Sequence, residues 1–440
     1  PEIQDYNLTV QVTEGDLAVG VLGGKIRRRG ANTRGPGAAI AAAQQNCGDS
    51  EKNAGASHKA IIPNSAMTPG ASISQQPTVS VIVPARNEEV CLGSCLQSLV
   101  AQTGVRFEII VVDDGSTDRT REIAESFPEA RVISPGPLVR GWSGKNNALV
   151  AGASQARGEW FLFTDADTVH PPGSLAASLA EAHQQKAALL SYSPEQEVHG
   201  FWEKAVMPVI FAELASSYRP SEVNNPASAA AAANGQYILI SREAYEAVGG
   251  HAAVGANLLE DVALARAVKA SGRRIFFRYG GDAVRTRMYR SFAQLKEGWT
   301  KNLVLLFHSP GRLAIRRLTE FVLIIASLAI AVATGLRGKW YPAAIALIAA
   351  MVLYGFFFQR IRRAHFFWDA NLLAVFGLPL FSYLLLRSQM AYRKGTVWWK
   401  GRSYEANLSP ASTAGTAART MQHAQKLRDP VSARNPATSK

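Results

Sequence analysis

The sequence predicts an α/β protein with a doubly wound, mostly parallel sheet, followed by helices that enter a membrane. Three observations carry this reading. Short β-branched and aromatic runs alternate with helix-length segments from Val79 to Thr164, the pattern of βαβ units. One run, Trp160-Phe161-Leu162-Phe163, is wholly apolar and ends in Asp165-Ala166-Asp167, as a buried strand does when it opens into a polar crevice. Apolar residues then concentrate between Leu318 and Leu386, in runs approaching the ~20 residues that span a bilayer.

The bulk composition narrows the partners. The 440 residues carry a net charge of +13, which points to an anionic partner such as a phosphorylated substrate or a membrane surface. The basic residues gather at the flanks of the apolar runs and no nucleic-acid motif is present, so no nucleic-acid partner is expected. Three cysteines, an odd number, argue against a disulfide scaffold and favour a cytoplasmic catalytic portion. Cys91 and Cys95 stand one helical turn apart and are expected as core thiols.

Taken in order, residues 1–77 are rich in Gly, Ala, Ser, Asn and Gln and are expected to be disordered. Strands are expected at Val79–Val83, Phe107–Val112, Arg131–Ser134 and Trp160–Thr164. The helices between them are Leu92–Gln102, a segment ending near Phe127 and capped by Ser116 or Thr117, and Lys145–Arg157. Further on, Leu175–Lys186, Phe201–Tyr218, Arg242–Val248 and Glu260–Ser271 read as helices. Leu189–Pro194, Gly235–Ile240 and Arg274–Tyr279 read as strands. Asn224–Ala233 is small and flat enough to be irregular, Tyr289–His308 reads as an amphipathic helix, and 403–440 as a disordered tail.

Four polar pieces fall at strand ends or on adjoining loops. Asp113-Asp114-Gly115-Ser116 offers carboxylates to a nucleobase N–H or to ribose hydroxyls. Gly141-Trp142-Ser143-Gly144-Lys145 opens a helix with one cation and backbone N–H groups where a phosphate can sit. Asp165 and Asp167 are two hard oxygen ligands suited to Mg²⁺ or Mn²⁺. Glu260-Asp261 opens a later helix and offers a general base.

These residues, with Val81-Ile82-Val83-Pro84-Ala85-Arg86-Asn87-Glu88, resemble the family 2 glycosyltransferases of GT-A fold over residues 79–303. Asn234-Gly235-Gln236, the Gly249–Val254 stretch and Trp399-Lys400-Gly401-Arg402 are similar to the membrane-bound hopene-associated and carotenoid-type members. The resemblance implies that Pro84, Ala85 and Glu88 line a nucleotide pocket and that Asp113 or Asp114 reads the uracil or ribose. It implies that Lys145 steadies the nucleotide, Asp165 contacts ribose or metal, and Asp167 ligates the metal. Asp261, next to Glu260, is then the base. The implied activity is inverting transfer of one sugar from a UDP-sugar to a membrane lipid of isoprenoid type, with Mg²⁺ or Mn²⁺. A polyprenyl-phosphate acceptor is one alternative, and a non-catalytic membrane-anchored sugar-nucleotide-binding protein is another.

One departure bears on processivity. Processive members carry Q-x-x-R-W after the base motif, and here Gly298 stands in place of the Arg before Trp299. Trp299, Lys301, Gln236 and His251 are assigned to the acceptor side. Lys301 either supplies the missing cation or, as preferred here, faces lipid headgroups. Trp202, Phe211, Trp299 and Phe307 either line a lipid groove or pack helices, and His308 is a candidate extra metal ligand.

Orientation follows from positive charge. Arg312, Arg316 and Arg317 precede the run Phe321–Leu336, and Arg360, Arg362 and Arg363 follow Trp340–Phe358. Both ends of this hairpin are therefore expected in the cytoplasm of a bacterial inner membrane. The third run, Leu372–Leu386, follows Asp369 and Asn371, contains Pro379 and precedes Arg387, Arg393, Lys394, Lys400 and Arg402. It is expected to lie along or dip into the cytoplasmic leaflet, keeping the tail inside. The domains are then 78–310 (catalytic) and 318–387 (membrane).

Overall fold

The computed structural model describes residues 76–399 and 401–405. The expectations of disorder, for 1–77 and 403–440, fall almost entirely outside them. The chain enters on β1 (Val79–Ala85), crosses through α1 (Leu92–Val100) to β2 (Phe107–Asp113), and through α2 (Thr120–Glu125) to β3 (Ala130–Ile133). It returns by α3 (Gly144–Gln155) to β4 (Trp160–Phe163) on the other side of β1. These four strands are mutually parallel, with Val81 beside both Ile109 and Leu162. A short β5 (Thr168–Val169), α4 (Ser174–Gln184), β6 (Leu189–Ser193) and β7 (Glu195–Gln196) follow. Beyond α5 (Phe201–Ser217) and α6 (Pro220–Val223), β8 (Ile238–Ser241) inserts between β4 and β6, antiparallel to both. The helices α7 (Arg242–Ala247), α8 (Gly250–Ala253) and α9 (Glu260–Ala270) then lead to β9 (Ile275–Tyr279), which closes the seven-stranded order β3-β2-β1-β4-β8-β6-β9. A strand of β10 (Arg285–Thr286) joins β5 and β7 in a small side sheet.

Alternation along the strands builds two cores. Ile82, Ile110, Val112, Phe161, Phe163 and Ile240 face one side with Leu149 and Leu264. Val81, Val83, Ile109, Val111, Leu162 and Leu239 face the other with Leu92, Leu96 and Leu99. Both faces are covered, as continuous apolar strands require. Two local expectations are corrected. The N-cap position of α2 is Arg119, which makes no side-chain cap bond, and just ahead of it Asp118 Oδ1 accepts from Thr120 N at 3.0 Å. Ser116 and Thr117 instead bond to Asn87, Ser116 Oγ accepting from Asn87 N at 3.1 Å and Thr117 N donating to Asn87 Oδ1 at 2.9 Å. These bonds stitch the β2 loop to the β1 loop. Cys95 is buried, but Cys91 is only partly so and its Sγ accepts from Arg290 at 3.5 Å.

Past α10 (Phe292–Leu306) come three long apolar helices: α11 (Pro310–Leu336), α12 (Trp340–Ile361) and α13 (Trp368–Arg393). Each is long and apolar enough to cross a membrane, with mean hydropathy 2.1, 2.0 and 1.6 in their most apolar stretches. The 15-residue run at the centre of α13 continues as helix in both directions, through Pro379. Ile210, Leu303, Leu378, Phe381 and Leu385 form a third core joining α5, α10 and α13. At Gly377 the α13 backbone meets the Ala205 carbonyl so closely that no side chain fits there. A buried charge lattice ties the base of the hairpin: Arg317 pairs with Glu213 at 2.9 Å and with Glu320 at 2.8 Å, and Arg360 with Glu320 at 2.9 Å. Finally β11 (Thr396–Trp399) and β12 (Arg402–Glu405) make an antiparallel hairpin.

Candidate active site

The carboxyl ends of β1, β2 and β4 and the first turns of α3 and α9 meet in one crevice. Ser143 caps α3, its Oγ accepting from Asn146 N at 3.0 Å, so Lys145 leaves the first turn of the helix. The Lys145 ammonium sits 2.8 Å from Asp165 Oδ1 and 3.1 Å from Glu260 Oε1. Burial alone would lower its pKa, but Asp165 and Glu260 outweigh that and hold it well above the ordinary lysine value. A Cβ at Gly235 would come within 2.9 Å of Lys145 Nζ, so a larger residue at this floor position would push the ammonium aside.

The adjacent carboxylates of α9 are driven apart. Burial works against the charge of Glu260, yet Lys145 and Lys301 pull its carboxyl below the usual range. Asp261 is pushed up to about 6, by burial first and then by the charge of Glu260. Backbone N–H groups of Gly235 and Val262 hold its two oxygens at 3.0 and 2.8 Å. One carboxylate is thus fixed in an ion pair, while its neighbour titrates near physiological pH, where a general base is most effective.

The loop carrying Asp165 and Asp167 rests on a buried polar knot. Thr164 Oγ1 and Thr168 Oγ1 lie 2.9 Å apart, and His170 Nε2 is 3.2 and 3.0 Å from them. Thr168 Oγ1 also donates to the Asp165 carbonyl at 2.7 Å. Burial lowers the His170 pKa to about 3, so the ring stays neutral and serves as a prop. Two carboxylates two residues apart suit a hard divalent ion. Among the described residues no larger His, Cys, Asp or Glu group is able to hold an ion.

On the opposite rim, Asp113 Oδ1 accepts from Ser116 N at 3.1 Å, and Arg86 donates to the Asp114 carbonyl at 2.5 Å. Pro84 and Ala85, at the end of β1, flank this loop, with the Ala85 carbonyl accepting from Asp114 N at 2.9 Å. Glu88 N donates to Thr120 Oγ1 at 2.7 Å, which fixes Glu88 at the same edge.

The assignments to the acceptor side fare differently. Trp299 is buried, its indole N–H donating to Met207 Sδ at 3.4 Å. It packs beside Tyr289 and Phe211 and is core. Gln236 is buried, donating to Thr286 Oγ1 at 3.2 Å. His251 is buried against Phe163 and Tyr245, and burial drops its pKa to about 4. All three side chains are buried. Lys301 does not face outward to headgroups. Its ammonium lies 5.3 Å from the Trp399 ring centroid, and burial holds it below the usual lysine value against the attraction of Glu260. His308 lines a cavity with Glu213 and Arg312. Trp202 is exposed beside Phe201 and Phe292, whereas Phe307 is buried.

Two contributors were not assigned roles from sequence. His170 carries no motif, and only the Thr-x-x-x-Thr-x-His spacing around the aspartates hints at it. Arg402 reaches across from β12 to Asp114, at 2.6 and 3.3 Å to its two oxygens.

Residues 80–249 match the model of the glycosyl transferase family 2. The chain is 29% identical over 342 residues to 4,4'-diaponeurosporenoate glycosyltransferase of Staphylococcus aureus (strain USA300), covering 74% of this chain and 88% of the relative. Among solved structures it is similar to a mannosyltransferase of Pyrobaculum calidifontis in complex with GDP-Man and Mn²⁺. That match has 19% identity and TM-score 0.39, covering 72% of this chain and 87% of the other. It is also similar to glucosyl-3-phosphoglycerate synthase of Mycobacterium tuberculosis in complex with Mn²⁺, UDP and phosphoglyceric acid. There the identity is 24% and the TM-score 0.35, over 50% of this chain and 74% of the other.

Proposed function

We propose that this chain, a glycosyltransferase by its match to the family 2 model over residues 80–249 and to a glycosyltransferase relative, transfers a single sugar from a UDP-sugar to an isoprenoid-type membrane lipid, with inversion. The observation that carries this reading is the convergence of Lys145, Asp165, Glu260 and Asp261 in one crevice at the strand ends. Asp261 takes the proton of the acceptor hydroxyl as that oxygen attacks the anomeric carbon in one in-line step. Lys145, held charged by its two carboxylates, stands where the diphosphate leaves and offsets the negative charge developing there. Asp165 and Asp167 are the residues that would hold Mg²⁺ or Mn²⁺, which when bound supplies further neutralisation of the leaving group. The diaponeurosporenoate relative supports an isoprenoid acceptor. A carboxyl raised to about 6 favours a neutral hydroxyl over a polyprenyl phosphate, whose nucleophile is already anionic. Gly298 supports single transfer, because the Tyr289 ring occupies the space an Arg side chain there would need.

The membrane arrangement that fits is a two-span anchor with the catalytic domain in the cytoplasm and α13 lying along the inner leaflet. A spanning helix separates its ends by about 30 Å of hydrocarbon, yet both ends of α13 touch the catalytic domain. At its start Asp369 pairs with Lys204 at 2.6 Å. At its end Tyr392 donates to the Lys301 carbonyl at 2.8 Å, and the hairpin beyond reaches Asp114. Its exposed apolar residues, Trp368, Leu372, Phe376, Tyr383, Leu386 and Met390, run along the helix with Arg387 and Arg393 exposed toward its end, a mixture suited to lipid contact in the plane of the interface.

Mass spectrometry of lipid extracts tests the function. Cells expressing the protein and supplied with candidate UDP-sugars are expected to accumulate a lipid heavier by one sugar, and cells expressing Asp167→Asn are not. Products with several sugars, or none with any donor, would contradict it.

A further inference from the structure

The C-terminal hairpin reaches the donor side of the site, although it follows the three long apolar helices α11, α12 and α13. Val397 anchors it, 2% exposed in a small cluster with Leu258, Val304, Leu305 and Tyr392. Leu258 lies two residues ahead of Glu260, and Val304 and Leu305 lie on α10, so the anchor packs the hairpin against α10 and the segment that leads into α9. Trp399 covers Lys301 from there. Gly401, with φ +75°, turns the strand back, and Arg402 lands in register opposite Trp399. Its guanidinium grips both Asp114 oxygens, 288 residues away in sequence. A Cβ at Gly144 would collide with this guanidinium and with Asp114 together. Arg402 therefore lies against the first residue of α3, next to Lys145, where backbone N–H groups and the helix dipole favour an anion.

We propose that Arg402 is a donor-binding residue, delivered by the C-terminal hairpin to hold the diphosphate of the nucleotide-sugar together with Lys145. The inference rests on the proposed nucleotide-sugar donor. Asp114 is its positioning partner, fixing the planar fork so that it meets a phosphate at small entropic cost. An arginine suits this place better than a second lysine, since its fork can serve a carboxylate and a phosphate oxygen together. The site is then complete only when the segment following α13 is docked. Donor binding and the seating of α13 are coupled through one hairpin.

The test is equilibrium binding to the full chain in detergent with Mn²⁺, using UDP and GDP and the corresponding nucleosides uridine and guanosine. Whichever diphosphate the wild type binds is expected to bind Arg402→Ala about 10- to 100-fold more weakly, the span of one charge-assisted contact. The matching nucleoside is expected to bind both proteins within about twofold. Arg402→Lys should recover part of the loss, and unfolding temperatures should agree among the variants. Equal diphosphate affinity in Arg402→Ala would overturn the proposal. So would tighter binding of both ligands, which would mark the hairpin as a plug over the site. A parallel loss for nucleoside and diphosphate would make Arg402 merely structural and likewise overturn it. Failure of the wild type to bind either diphosphate would overturn the donor reading beneath it instead.

Discussion

The two walls of the crevice are built from opposite chemistry. The wall at the strand ends is dominated by carboxylates, Asp113, Asp114, Asp165, Asp167, Glu260 and Asp261, with Lys145 threaded between two of them. The wall supplied by α10 and the C-terminal hairpin brings Lys301, Trp399 and Arg402. An acidic wall alone would repel a diphosphate, and the second wall corrects the balance. It also belongs to the segment that packs with the membrane helices, through the core shared by α10 and α13. On the proposed reading the base, the metal ligands and Lys145 share the acidic wall, while one further donor-holding group, Arg402, arrives from the other, so variants of the two walls should fail in different ways.

The largest effect is expected from the acidic wall at Asp167. Asp167→Asn removes an anionic hard ligand, and turnover should fall about 10³-fold or more. Nucleotide affinity measured without metal should change far less, and calorimetry with and without Mn²⁺ separates the two. Asp261→Asn is next: turnover should drop by about 10²- to 10⁴-fold while UDP-sugar affinity stays within a few fold. Equal loss of donor binding would move Asp261 from the acidic, catalytic wall to a structural role.

A pH profile sharpens the same contrast. Asp261 must be ionised to act, and its carboxyl is raised to about 6. The value of kcat/KM should therefore rise with pH through about 6 and level off above it. The residual rate of Asp261→Asn should lack that limb.

Topology probes the second wall. A reporter fused after Lys440 and another inserted after Arg363 should both signal from the cytoplasm. An outside signal at the C-terminus would break the link between α13, the hairpin and the site. The smallest effect is expected at Gly298→Arg, where the new side chain meets the Tyr289 ring. The cost should be ~1–3 kcal/mol of overpacking, seen as a lower unfolding temperature, with no gain of processive products.

The acidic wall was legible because each of its pieces is local. A buried apolar strand that stops at a pair of carboxylates announces both its own end and the place of the crevice, as at Phe163 and Asp165. The parallel units from β1 to β4 were legible for the same reason. The antiparallel direction of β8 was not, since period-two alternation is the same for either direction. The burial of Trp299, Gln236 and His251 was not legible, because an aromatic, an amide or an imidazole after a glycine looks alike whether it faces solvent or core. Lys301 was turned outward because only the packing of α10 against the hairpin decides its direction. Arg402 was visible as a residue but not as a neighbour of Asp114, a contact made only once α13 has brought the chain back.

The measurement closest to the central claim uses purified protein reconstituted in vesicles with an isoprenoid alcohol and a UDP-sugar. Released UDP and glycosylated lipid are counted together. One UDP per singly glycosylated lipid is expected, with both products lost in Asp261→Asn. UDP released without lipid product, or several sugars on one lipid, would contradict the account.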